Sequence, residues 1–315
     1  MGDVKKPFIM NRADPFIMKA PDGYYYFTAS VPEYDGIRLR RAASLAALAE
    51  AGEHEVWHRH EAGPMSFNIW APELHRMMDG HYYIYFAGGD KDEIFKIRPY
   101  VLKCESDDPM AGPWTECGMM QAADDDPFSF RAFSLDATVF ENKGAWYYVW
   151  AEKVGVGKQI SNLYIARMES PTKLATVQVL LTTPDYSWER GEFWVDEGPA
   201  VIRHGNRLWL TFSASDTGPS YCVGLMSAEV ESDLLDPLSW HKEREPFFAS
   251  APALGLYGPG HNSFTTDEKG RDIMVFHARP TEKIVTDDPL YDDSRSTYLA
   301  PLSWDADGRP ALELS

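Results

Sequence analysis

The chain is 315 residues long, and its 48 acidic side chains outnumber its 30 basic ones, for a formal charge of −18. A surface that negative repels phosphate backbones and anionic lipid heads, which disfavours nucleic-acid and membrane-surface partners. No stretch reaches the ~18 consecutive apolar residues that a spanning helix needs, and three cysteines (Cys104, Cys117, Cys222) are too few and scattered for a disulfide framework.

The first residues, Met1 to Lys6, place no apolar run behind the Lys5-Lys6 pair. A secretory leader would show one, so the expectation from this segment is a cytoplasmic protein, with secretion after trimming as the other route. Reduced thiols are expected, although a single Cys104–Cys117 bridge would fit the spacing.

From there the chain reads as hairpins. Tyr24-Tyr25-Tyr26-Phe27 follows the turn Asp22-Gly23, and Arg12 to Ile17 precedes it. Arg40 to Gly52 has helix-forming composition ending at a glycine and predicts a short helical connection. Tyr82 to Phe86 follows Asp79-Gly80, with Trp70-Ala71-Pro72-Glu73-Leu74 before it. Trp146 to Trp150 follows Lys143-Gly144, with Ser134 to Val139 before it. Leu208 to Phe212 follows Gly205-Asn206, with Val195 to Val201 before it. Ile273 to His277 follows Lys269-Gly270, with Gly260 to Phe264 before it. Each unit has the signature of strand, glycine turn and strand.

The second strands begin at 24, 82, 146, 208 and 273, so the pattern recurs every 58 to 65 residues. A unit of that length holds a four-stranded antiparallel sheet with its loops. Five such units predict an all-β fold, a five-bladed β-propeller with four antiparallel strands per blade, in one domain over residues 1–315. A sandwich gives turn signals every ~8–12 residues but has no reason to repeat every sixty. Asp-rich patches at 124–126, 287–288 and 292–293 read as solvated loops.

Counting back from each aromatic run puts Asp14, Glu73, Asp136, Glu197 and His261 at nearly equivalent places on the five first strands. First strands line a propeller's channel, so these side chains should converge. Packing carboxylates together raises some pKa values and disfavours full ionisation. Structure alone has no use for such a ring, which makes it a candidate functional site. Glu73 also reads as a buried structural acid. Trp70 offers an apolar aromatic face and Arg279 offers fixed hydrogen-bond donors to a bound ligand. His277 is expected to pack beside Arg279 without a role of its own.

At these residues the chain resembles glycoside hydrolase family 43. The matching stretches are Arg12-Ala13-Asp14-Pro15, Trp70-Ala71-Pro72-Glu73, Ser134-Leu135-Asp136-Ala137, Asp196-Glu197-Gly198-Pro199, Gly258-Pro259-Gly260-His261-Asn262 and Phe276-His277-Ala278-Arg279. The resemblance runs from about residue 10 to residue 305. It implies an inverting hydrolase of arabinose- or xylose-containing oligosaccharides, with Asp14 as general base and Glu197 as general acid. It implies that a negative Asp136 raises the acid's pKa and orients the sugar, while Asp14 stays charged beside Arg12 or another cation. It also implies that His261 helps hold one calcium ion in the channel through ordered water, as a structural ion without organic cofactor. The stretch from Ser213-Ala214-Ser215 to Tyr221-Cys222-Val223-Gly224 is similar to the α-L-arabinofuranosidase-like branch. β-Xylosidase, endo-arabinanase and a non-catalytic sugar-binding protein are the alternatives.

Overall fold

The computed structural model describes residues 4–156 and 158–314, and its described elements are strands joined by loops and short 3-10 turns. The first sheet contains β1 (Ala13–Lys19), β2 (Tyr25–Ser30), β3 (Gly36–Ala42) and β4 (His54–His58), paired antiparallel in chain order. The second repeats this order with β5 (Pro64–Arg76), β6 (Tyr82–Asp90), β7 (Glu93–Cys104) and β8 (Trp114–Met119). The third group is β9 (Ser134–Asn142), β10 (Ala145–Val156) and β11 (Lys158–Ser170), with β12 (Lys173–Leu174) and β13 (Val179–Thr182) both on β11. β14 (Trp194–His204), β15 (Arg207–Ala214), β16 (Cys222–Glu229) and β17 (His241–Lys242) follow. A short parallel contact, Ile160 with Trp194 and Ser161 with Val195, joins β11 to β14. The last sheet is β18 (Tyr257–Thr266), β19 (Asp272–Arg279), β20 (Ser296–Trp304) and β21 (Pro310–Leu312).

The five hairpin turns form where the glycines stand. Gly23, Gly80, Gly144, Gly205 and Gly270 all have positive φ, from +58° at Gly205 to +88° at Gly23, a region that side-chain-bearing residues enter only at a cost. The helical expectation for 40–52 fails in part. Arg40 to Ala42 finish β3, and only Ala46–Ala49 form a single 3-10 turn. Tertiary pairing of β3 with β2 and β4 overrides the local helix preference there. All three cysteines are free thiols.

The core follows the sheet order and closes on itself. Tyr26, Ile37 and Leu39 of the first sheet meet Leu74, Ile84 and Phe86 of the second. Tyr83 and Tyr85 meet Tyr148 and Trp150. Val149 and Ile165 meet Leu208, Leu210 and Phe212. Val223 meets Met274, Phe276 and Tyr298, and Ile273 and Val275 return to Ile17, Tyr25 and Phe27. Fully burying each large apolar side chain is worth roughly 1.5–3 kcal/mol. The first strands also touch in a closed series, β1 with β5, β5 with β9, β9 with β14, β14 with β18 and β18 with β1. Any side chain turned inward from those five strands therefore faces the others.

Candidate active site

Each first strand carries a bulge at the same level. The ladder register slips between Ala13 and Phe16, Trp70 and Glu73, Glu197 and Ala200, and Gly260 and Ser263, and in β9 opposite Val149 to Ala151. At each slip one residue takes positive φ: Asp14 (+52°), Ala71 (+46°), Asp136 (+54°), Gly198 (+52°) and His261 (+41°). Four of the five are not glycine, so the backbone there is strained, a state found where surrounding structure over-determines it, often at functional sites. Proline follows at three of them (Pro15, Pro72, Pro199), and it has no N–H to leave unpaired in a broken ladder. A bulge re-aims its side chain, and here Asp14, Asp136 and His261 are brought together.

The equivalence expected from counting residues thus holds for Asp14, Asp136 and His261 but not for the two glutamates. Glu197 stands one residue before its bulge and Glu73 two residues after. Glu197 still reaches the shared cavity. Glu73 does not line it and is a buried acid bonded to His75 Nε2 at 2.7 Å.

A cavity of about 860 Å³ opens over this point, and Asp14, Trp70, Asp136, Glu197, His261 and Arg295 are among its walls. His261 Nδ1 lies 3.3 Å from Asp14 Oδ1 and 3.6 Å from Asp136 Oδ2. The His261 backbone N–H donates to Ser213 Oγ at 2.6 Å. Asp14 Oδ2 accepts from the Ser30 hydroxyl at 2.5 Å, and Asp14 N–H donates to His277 Nδ1 at 3.1 Å. Arg295 Nη1 stands 3.7 Å from Asp14 Oδ1. On the other wall, Tyr221 donates its hydroxyl to Glu197 Oε1 at 2.8 Å, and Gly198 N–H donates to Asp136 Oδ2 at 3.2 Å. Trp70 is buried, meets Tyr34 edge-on at 5.8 Å, and keeps its indole N–H without a protein partner.

Two arginines stand away from their expected places. Arg12 does not neutralise Asp14; it forms a two-bonded pair with Glu53 at 2.6 and 2.8 Å. Arg279 does not reach the cavity. It is 1% exposed, pairs with Asp292 at 2.5 Å and donates to the carbonyls of Pro289 and Thr217. Its effect on the site is indirect, since it fastens the loop whose Pro289 and Leu290 form part of the wall. Asp292 is accordingly buried, not the solvated residue expected at 292–293. The guanidinium that faces the cavity belongs to Arg295, which also donates to Tyr34 Oη at 2.7 Å. Arg295, Tyr221 and His277 are the residues that sequence reasoning missed. Tyr221 lay within the branch-marking stretch, His277 within a matching motif, and Arg295 beside acids that resembled ordinary loop composition.

The surroundings split the three carboxyls. Burial alone would raise Asp14, but the charge of His261, the bond to His277 and the charge of Arg295 outweigh it and hold the carboxyl far below the usual range. Burial raises Asp136, and despite His261 the negative Glu197 and Asp14 help push it up to about 8. Burial also raises Glu197, against the pull of the Tyr221 bond and His261, with Asp14 adding to the rise. The expectation of a fully ionised Asp136 beside a protonated Glu197 is thereby corrected. Both rise, and the extra proton belongs to the pair. His261 rises too, because Asp136, Asp14 and Glu197 together overcome its burial, whereas burial chiefly lowers His277 to about 4.

Calcium takes six to eight oxygen ligands, and the donors around His261 do not make such a cage. Among the described residues, the trio of acid and histidine atoms close enough to share one ion is Asp35, Glu55 and His58, where Arg38 already faces both acids at 3.2 and 3.6 Å. The side chains at His261 do not fit direct coordination of calcium.

Residues 4–310 match the model of glycosyl hydrolases family 43. The chain belongs to that family. It is 45% identical to an extracellular exo-α-(1→5)-L-arabinofuranosidase of Streptomyces avermitilis, over 96% of this chain and 62% of that protein, so it spans about three fifths of that relative's length. It is 42% identical to a protein of the same name from Streptomyces chartreusis, over 90% of this chain and 84% of that one. The crystal structure of an α-L-arabinofuranosidase from Lactobacillus brevis superimposes with a TM-score of 0.90 at 46% identity, covering 97% of this chain and 94% of that one. Two of these relatives are named extracellular, which points to secretion and overturns the cytoplasmic expectation. That expectation rested on residues 1–6, which report their own composition and not the compartment a protein reaches.

Proposed function

We propose that the chain is a five-bladed β-propeller, one catalytic domain over residues 1–315, that acts as an inverting, exo-acting α-L-arabinofuranosidase. It releases terminal arabinose from arabinan or arabinoxylan oligosaccharides. The closed series of sheet contacts supports the propeller, with the link between β11 and β14 read as a seam between blades three and four. The names of the relatives support the sugar.

The observation that carries the chemistry is the opposite treatment of Asp14 and Glu197 in one cavity. Inversion needs one ionised carboxylate to take a proton from water and one protonated carboxyl to protonate the leaving oxygen, set ~6.5–9.5 Å apart so that water fits. Asp14, beside two imidazoles and a guanidinium, is the base. Glu197, buried beside Asp136, is the acid, and Asp136 keeps the pair's proton available near neutral pH. Trp70 presents a flat face to the pentose and Arg295 donates to its hydroxyls. A channel ion near His261, carried by water, has no step in this reaction.

Paired assays on nitrophenyl α-L-arabinofuranoside and nitrophenyl β-D-xylopyranoside test the reading. Release from the first and not the second is expected. Preferential release from the xyloside would make the protein a xylosidase, and sugar binding without release from either would make it a binding protein.

A further inference from the structure

Behind Glu197 lies a buried charged cluster that the proposed reaction does not use. Asp196 precedes Glu197 on β14, and strand alternation turns it to the opposite face, where it is 0% exposed. Lys242, from the outermost strand β17, reaches back across the sheet to it. Its Nζ lies 3.5 Å from Asp196 Oδ2, ion-pairs with Glu189 and donates to the Thr183 carbonyl at 2.9 Å. The ammonium lies 5.2 Å from the centre of the Phe212 ring and 5.4 Å from that of Tyr186. Glu189, also 0% exposed, accepts the backbone N–H groups of Asp185 and Tyr186 at 2.5 and 2.6 Å. The Thr182 hydroxyl donates to Asp196 at 3.3 Å.

Such a cluster is poor evidence for stability: burial and the Glu189 charge hold Asp196 well above the usual carboxylate range against the pull of Lys242, and desolvating the charged groups costs about what their attraction returns. What it does is mechanical. It ties three separate pieces together: the outer strand β17, the connection from Thr182 to Glu189, and the residue next to Glu197. That connection runs on to Gly191, whose N–H donates to Ser215 Oγ at 3.2 Å, and Ser215 is a cavity wall. Proton donation needs the acid within hydrogen-bond reach of the leaving oxygen, and small displacements are costly.

We propose that Lys242 is a positioning residue for Glu197, gripping β14 through Asp196 so that the acid's carboxyl stays in reach of the leaving oxygen. The proposal rests on the reading of Glu197 as the acid. The leaving group distinguishes this from plain structural support. A nitrophenolate departs with little protonation, whereas the sugar alcohol of an arabinobiose needs it. Asp196→Asn keeps shape and the Thr182 acceptor while replacing the carboxyl that Lys242 grips with an amide. It carries the test, because Lys242→Met strands two buried carboxylates and can unfold the protein.

For Asp196→Asn, kcat/KM on arabinobiose is expected to fall at least about tenfold while the nitrophenyl arabinofuranoside stays near the wild-type value. Lys242→Arg, which keeps the grip, should retain both activities. Equal losses on both substrates, or no loss on either, would overturn the proposal. Glu197→Gln is run alongside. If it lacks the same selectivity, the acid assignment falls and takes the positioning role with it. If it shows the selectivity and Asp196→Asn does not, only the positioning role falls.

Discussion

Asp14 and Glu197 are both carboxyl groups on first strands and both face one cavity, yet their surroundings send their protons in opposite directions. Around Asp14 the protein gathers His261, His277, Arg295 and the Ser30 hydroxyl. Around Glu197 burial outweighs the Tyr221 hydroxyl and the charges of His261 and Lys153. On the proposed reading, two similar groups divide into base and acid because neighbouring cations outweigh burial at Asp14 and do not at Glu197.

Exchanging either group breaks the comparison most severely. Asp14→Asn is expected to lower kcat at least ~10²-fold on every substrate, because the water loses its base whatever the leaving group. Glu197→Gln should lose as much on oligosaccharides and recover part of it on nitrophenyl glycosides. Steady-state kinetics with circular dichroism to confirm folding checks both. Recovery of the Asp14 variant on the activated substrate would reverse the two roles.

The two arginines sharpen it next. Arg279→Met strands Asp292 and should destabilise the fold by about 3–5 kcal/mol, seen as a lower unfolding midpoint. Arg295→Gln removes a cation that lowers Asp14. The base then protonates at higher pH, so the acidic limb of kcat/KM should move up. An unmoved limb would show that Arg295 does not act on Asp14.

Tyr221→Phe has a smaller effect of the same kind on the other wall. The hydroxyl stabilises ionised Glu197. Without it the acid keeps its proton to higher pH, and the alkaline limb should rise by about one to two pH units, since a hydrogen bond to a charged group is worth roughly 1.5–3 kcal/mol. A limb moving downward would contradict the assignment. Dialysis against a chelator should change least, with kcat preserved. Loss of activity restored by added calcium would give a channel ion a larger part than the side chains at His261 suggest.

Much of this was legible in the chain. Glycine turns and aromatic runs marked the hairpins because positive φ and pleated packing each demand particular residues. Asp14, Asp136 and His261 were found because similar offsets, 10, 10 and 12 residues before the aromatic runs, become neighbours in space on repeated strands. The offsets failed at Glu73 and Glu197 because these acids stand two residues after and one residue before the positive-φ position of their bulges, a displacement that counting cannot see. Arg279 and Arg295 were confused for a different reason. Which guanidinium faces the cavity depends on Asp292 capturing the other, a contact across 13 residues of loop. Nor could composition show that β3 would claim Arg40 to Ala42 from a helix.

The stereochemistry of the first product tests the central claim most directly. Proton NMR of an arabinofuranoside digest, recorded before mutarotation, should show β-L-arabinofuranose first, as expected if Asp14 activates water on the face opposite the bond that Glu197 cleaves. Initial appearance of the α anomer would mean a covalent intermediate and would leave a base at Asp14 with no step to perform.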